Sequence, residues 1–137
     1  MLPIVIKTPW DDRAVEQAVD EAIANGRTNI KASRMKLGPY NDYPGELRVL
    51  ADRKIRIAID LGLIPPAGQC SVCGTTEGPI DYHNEDYSRP LQTVAICKKC
   101  HFALHNRLRS SGHAASWEKL VKAYGDGTKW FEHISRK

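Results

Sequence analysis

The sequence predicts an α+β fold: a short β-hairpin and a helix stapled by four cysteines, with flanking helices at both ends. Three observations predict it. All four cysteines of the 137-residue chain fall in two Cys-x-x-Cys pairs, Cys70–Cys73 and Cys97–Cys100. Between the pairs lie two short β-prone runs, 79–83 and 93–96, separated by polar, turn-rich sequence. Before and after the pairs, apolar residues recur at helical spacing.

The cysteines come first in the chemistry. A Cys-x-x-Cys turn points two thiolates at one place, and two such turns supply the four tetrahedral sulfur ligands that structural Zn²⁺ prefers. The intervening segment 74–96 is slightly longer than the commonest zinc-ribbon spacing, an excess that a hairpin absorbs. Disulfides would need an oxidising compartment, and Met1-Leu-Pro-Ile-Val-Ile-Lys7 does not resemble a secretory signal. A thioredoxin-like pair needs one reactive Cys-x-x-Cys, not two. Cys97-Lys-Lys-Cys100-His101 matches the c-type haem attachment pattern, but that chemistry requires export and offers only Met1 and Met35 as thioether ligands. A zinc site in a reduced, cytoplasmic protein is the expectation.

Composition sets wider bounds. Hydrophobic residues make up 42% of the chain, and no apolar run approaches bilayer-spanning length, so no membrane partner is expected. The net charge of +4 does not by itself establish a nucleic-acid partner. Its distribution says more, because residues 1–45 balance six basic against six acidic side chains and the excess lies beyond them.

In chain order, Leu2 to Lys7 is β-prone but carries Pro3 and is closed by Pro9, which allows at most an edge strand. Thr8-Pro9-Trp10-Asp11 opens a helix with Ala14, Val15, Ala18, Val19, Ala22 and Ile23 on one stripe, ended by Asn25-Gly26. Thr28 to Lys36 forms a short basic helix, and 38–45 is a loop bracketing Tyr40 and Tyr43 between helix breakers. Glu46 to Leu61 is the strongest helix, with Leu47, Leu50, Ala51, Ile55, Ala58, Ile59 and Leu61 facing inward and Arg48, Arg53, Lys54 and Arg56 outward. Gly62 caps it and Pro65-Pro66 stops it. After the first cysteine pair comes the hairpin, and Cys97 opens a helix to about Leu108. Ser116 to Tyr124 is a further helix carrying Trp117, Leu120 and Val121, and 128–134 forms a last turn or two. Trp117, Trp130 and Phe131 are expected to pack these C-terminal helices on the module. The stripes of the N-terminal and C-terminal helices also offer faces to a protein partner.

Three of the five histidines, His83, His101 and His105, lie inside the module. His101 and His105 are four apart on a helix, so their rings share a face. His83 closes the first strand, and Asp81, two residues earlier, shares its side. These four residues make a second cluster of metal-binding or acid–base type. His113 and His133 fall outside it and are expected at the solvent.

The run Cys-x-x-Cys-Gly, Asp81-Tyr-His83-Asn-Glu-Asp-Tyr87-Ser-Arg-Pro90-Leu and Ile96-Cys-x-x-Cys-His101-x-x-x-His105 resembles the HNH family of ββα-metal endonucleases. It is most similar to small phage and bacterial members in which a basic helix leads into a zinc-stapled hairpin. The resemblance covers about 46–109, and it implies three parts: residues 1–45 as an N-terminal helical extension, 46–109 as basic helix plus HNH-like ββα module, and 110–137 as C-terminal helices.

By that resemblance, His83 is the general base that deprotonates water for attack on a phosphodiester. A second divalent metal (Mg²⁺, Mn²⁺ or Ni²⁺) held by His101, with His105 and Asp81 as further ligands, stabilises the departing oxygen. Gln92 stands where the family has an asparagine that orients the base. In an alternative alignment His83 is a metal ligand, and Asn84 takes the base position, where an amide cannot accept the proton. The implied function is a metal-dependent DNA endonuclease or nickase; the alternative is an inactive zinc module that binds nucleic acid or a protein. DNA-backbone contacts are expected from Arg48, Arg53, Lys54, Arg56, Arg107 and Arg109.

Overall fold

Helix starts and stops follow the local chemistry of the sequence. In the computed structural model, which describes residues 8–33 and 36–124, α1 spans Asp12–Ala24. The Asp11 carboxylate caps it, accepting the N–H groups of Arg13 and Ala14 at 3.1 Å each. Gly26 ends α1 and Gly62 ends α3 (Gly45–Asp60) in the same way. Each adopts a positive φ (95° and 72°) that lets the chain fold back. The next N–H then reaches a carbonyl in the last turn, Arg27 to Ala22 and Leu63 to Ala58. Between them α2 is the single turn Ile30–Ser33, shorter than the expected 28–36; Arg34 and Met35 lie outside the described residues, as do the expected edge strand at 2–7 and the final turns at 128–134.

The chain divides into two compact units. Among the described residues, one contains 8–33, 36–66 and Asn84–Thr93. Here α1 and α2 both pack on α3, around buried Val15, Val19, Ala51, Ile55, Ile57 and Ala58. Helix α3, expected to belong with the zinc module, therefore lies with the N-terminal helices, because its apolar surface is used against them. Coverage from two sides also buries Ile57 completely, although the single expected stripe omits it, and leaves Leu50 and Leu61 at the surface.

A tight turn, Tyr40–Tyr43, with Asn41 and Asp42 both at positive φ and reciprocal main-chain bonds between the tyrosines, anchors the segment 84–93 of this unit. Tyr40 Oη donates to buried Glu85 at 2.6 Å, and Tyr43 Oη donates to Asp86 at 2.8 Å. Arg48 Nε donates to Tyr87 Oη, and Trp10 Nε1 to the Leu91 carbonyl.

The second unit contains Ala67–His83 and, among the described residues, 94–124. Strands β1 (Ile80–His83) and β2 (Val94–Cys97) pair antiparallel, with Ile80 opposite Cys97 and His83 opposite Val94. Helix α4 (Lys98–Asn106) follows at once and packs on both strands, and α5 (Ser111–Tyr124) packs on α4. Val72, Ile96, Leu104 and Trp117 are the buried apolar side chains here, so Trp117 joins the module as expected. The described architecture is α+β, with five helices and a two-stranded sheet, and no described helix is long and apolar enough to cross a membrane.

Candidate metal centre

The Cys70–Cys73 pair sits on a knuckle closed by main-chain bonds from Cys70 N to the Thr75 carbonyl and from Gly74 N to the Cys70 carbonyl. Ser71 N donates to the Ala95 carbonyl, which ties the knuckle to β2. The second pair is placed by the strand-to-helix junction, where Cys97 ends β2 and caps α4, and Cys100 follows in the first turn. Helix N-termini favour negative charge, which suits thiolates there.

All four cysteines offer sulfur atoms lying within 4.8 Å of one another. Cys73 Sγ and Cys97 Sγ are 3.7 Å apart, close to the tetrahedral edge of about 3.8 Å implied by a Zn–S bond of about 2.3 Å. No disulfide links them. Burial pushes the Cys70 thiol up, but the N–H groups of Cys73, Cys97 and Val72 outweigh it and bring that thiol down to about 7. Burial first, and then the neighbouring sulfurs, push Cys73 and Cys100 up. One thiolate-prone sulfur among crowded thiols fits a cation at their centre, which reverses the local repulsion. The group can hold a zinc ion.

In the same unit, His83, His101 and His105 form a second group whose ring nitrogens also lie within 4.8 Å of one another. His83 Nδ1 is 3.1 Å from His101 Nε2, and His105 Nε2 is 2.8 Å from the same atom. A ring nitrogen carries one proton or one lone pair, so His101 Nε2 makes one good hydrogen bond, not two. Three lone pairs aimed at one cation remove the conflict. With metal–nitrogen bonds of about 2.0–2.1 Å the tetrahedral edge is about 3.3–3.4 Å, so the rings would move apart by about 0.2–0.6 Å to take an ion in that geometry. The group could hold a metal ion.

The other expected site residues fall differently. Asp81 is exposed on β1 and outside the histidine group, so it is not brought in as a ligand. His83 is 2% exposed and stands within the ligand group rather than apart from it. Asn84 and Gln92 are both buried in the other unit, where Asn84 Nδ2 donates to the Pro90 carbonyl at 2.8 Å and lies 3.5 Å from that of Gln92. His113 is half-buried, with Nδ1 2.7 Å from Ser110 Oγ, and His133 lies outside the described residues.

Most of the expected DNA-contacting cations are engaged within the protein. Lys54 Nζ sits between Glu16 at 2.8 Å and Asp20 at 3.1 Å, and Arg56 pairs with Asp52 one turn earlier. Arg48 lies over the rings of Tyr40 and Tyr87 and donates to the Gly38 carbonyl. Arg107 is buried, with Nη1 donating to the Leu104 carbonyl, which removes it from any surface. Arg53, half-buried, has no ion pair among the described residues, and Arg109 is exposed. Lys98, Lys99 and Phe102, which are not among the expected site residues, are all exposed on α4.

Compared with family models, curated proteins and solved structures, the chain matches none.

Proposed function

We propose that the chain is a metal-dependent nucleic-acid phosphodiester hydrolase of the HNH (ββα-metal) kind. In this reading Cys70, Cys73, Cys97 and Cys100 hold a structural zinc that staples hairpin to helix. His83, His101 and His105 hold a second divalent ion. The observation that carries the proposal is the convergence of three imidazole nitrogens from a hairpin strand and the helix that follows it.

An ion bound there supplies positive charge against the departing oxygen of a phosphodiester. The chain's own contribution is orientation: one turn of α4 separates His101 from His105, and β1 brings His83 onto the same point. A set of imidazoles without a carboxylate suits Zn²⁺ or Ni²⁺ better than Mg²⁺. The position of His83 in the ligand group, with the Asn84 amide bonded to main-chain carbonyls, favours a second reading, a zinc module that binds nucleic acid without cutting it.

Supercoiled plasmid incubated with added Zn²⁺, Ni²⁺, Mn²⁺ or Mg²⁺ separates the two. The hydrolase reading expects nicking that depends on the added ion and is lost in His101→Ala. Metal analysis should then show two ions in the wild type and one in His83→Ala or His101→Ala, with the fold kept. Two bound ions and nucleic-acid binding without cleavage would establish the second reading, and a single ion in the wild type would refute the histidine site.

A further inference from the structure

We infer that the outer face of α4 binds single-stranded nucleic acid, with Phe102 stacking on an unpaired base and Lys98, Lys99 and Arg109 contacting phosphates. This rests on the nucleic-acid reading above and names the form of substrate it takes. The helix has two unlike sides. Cys100 and Leu104 are buried where α4 packs on the strands and α5, and Arg107 beyond its end is buried with them. Lys98 and Phe102, four residues or about 6 Å apart along the axis, lie on its exposed side, and Arg109 follows in the turn after the helix, with Nη1 3.4 Å from Asn106 Oδ1. Phe102 is 66% exposed, and Lys98, Lys99 and Arg109 are exposed as well. None of these three cations forms an ion pair among the described residues, in contrast to Lys54 and Arg56 on α3.

A phenyl ring left in water gives up the free energy of burial unless something covers it. With the exposed cations Lys98 and Lys99 on the same helix, it calls for a cover that is flat, apolar on its face and negatively charged at its edge. A nucleobase on its phosphate backbone has that chemistry, and base–aromatic stacking does not depend on which base is present. Duplex DNA shows its bases to a protein mainly as edges in the grooves, to be read by hydrogen bonds that phenylalanine cannot make. The ring therefore selects an unpaired base. Phe102 follows His101 directly, and His105 lies one turn on along the helix flank, so a strand stacked at Phe102 runs its backbone past the histidine group.

Fluorescence anisotropy tests this with one labelled oligonucleotide, single-stranded and annealed to its complement, at two salt concentrations and without added divalent ion. The wild type should prefer the single strand. Phe102→Ala should weaken that binding about 5- to 140-fold and change duplex binding far less. Phe102→Trp should keep the affinity, and its emission should be quenched by the single strand. Lys98→Ala with Lys99→Ala should lower the salt dependence for both forms. Circular dichroism and zinc content identify any variant that has lost its fold, and the wild-type strand preference and the quenching in Phe102→Trp do not depend on Phe102→Ala. Unchanged single-strand affinity in a folded Phe102→Ala, or equal wild-type affinity for the duplex, would overturn the inference and leave the hydrolase reading standing. Stacking at Phe102 in a protein that never cleaves would uphold the inference and overturn the hydrolase reading. Binding to neither form would overturn the inference, while the plasmid assay with added ion decides the hydrolase reading.

Discussion

Extracting metal from the four-cysteine group should unfold the unit that contains it. That unit's buried apolar side chains are few, Val72, Ile96, Leu104 and Trp117 among the described residues. A zinc held by the cysteines would supply its cross-link, joining the 70–73 knuckle, the end of β2 and the first turn of α4. Structural zinc contributes roughly 10–16 kcal/mol in small cysteine-rich sites near neutral pH, as much as the entire stability of a typical domain, about 5–15 kcal/mol. Losing it therefore leaves too little to hold α4 and α5. Cys97→Ser should act in the same way, since its oxygen replaces the sulfur at the strand–helix junction. The assay is titration with an organomercurial, following zinc release with a chromogenic indicator and tryptophan emission in the same sample. About one zinc should leave per four thiols modified. The emission of Trp117, fully buried in the native unit, should shift to the red in step, and a Trp117→Phe control should lose that shift. The helical signal should fall by the share contributed by the nine residues of α4 and the 14 of α5. Unchanged emission after complete zinc release would refute the reasoning, as would disulfides among these cysteines in freshly purified protein.

Two further outcomes concern the other unit. Lys54→Met should cost about 1 kcal/mol in urea denaturation, since the bridge to Glu16 and Asp20 joins α3 to α1 but leaves both carboxylates partly solvated. Burial works against the Lys54 charge, yet the hydrogen bonds and charges of Glu16 and Asp20 raise its pKa above the ordinary lysine value. The contribution is then full below about 10.4 and is lost as pH rises through the raised value, so wild type and variant should converge in stability there; a gap that widens with pH would contradict this. Tyr40→Phe removes the 2.6 Å bond to buried Glu85 and should cost about 1.5–3 kcal/mol, read as a lower urea midpoint at constant slope. An unchanged midpoint would mean that the Tyr40–Tyr43 turn does not anchor the 84–93 segment.

Whatever depends on neighbours within a few residues was legible in the sequence. The two cysteine pairs, the hairpin between them, the helix opened by Cys97, and the ends of α1 and α3 at Gly26 and Gly62 follow from spacing, capping and backbone freedom, all of which act locally. The i, i+4 placement of His101 and His105 belongs to the same class. The destination of each side chain was not legible, because it depends on which faces meet. Lys54 reads as a free cation on a basic helix until α1 brings Glu16 and Asp20, more than 30 positions away in sequence, within bonding distance. Arg107 reads as a surface arginine until its burial beside Leu104. Asp81 and His83 share one side of a strand by alternation, but α4 packs so that only His83 joins the helix histidines while Asp81 stays in solvent. Alternation assigns a side of a strand; only the packing of the helix decides how far along that side the site extends.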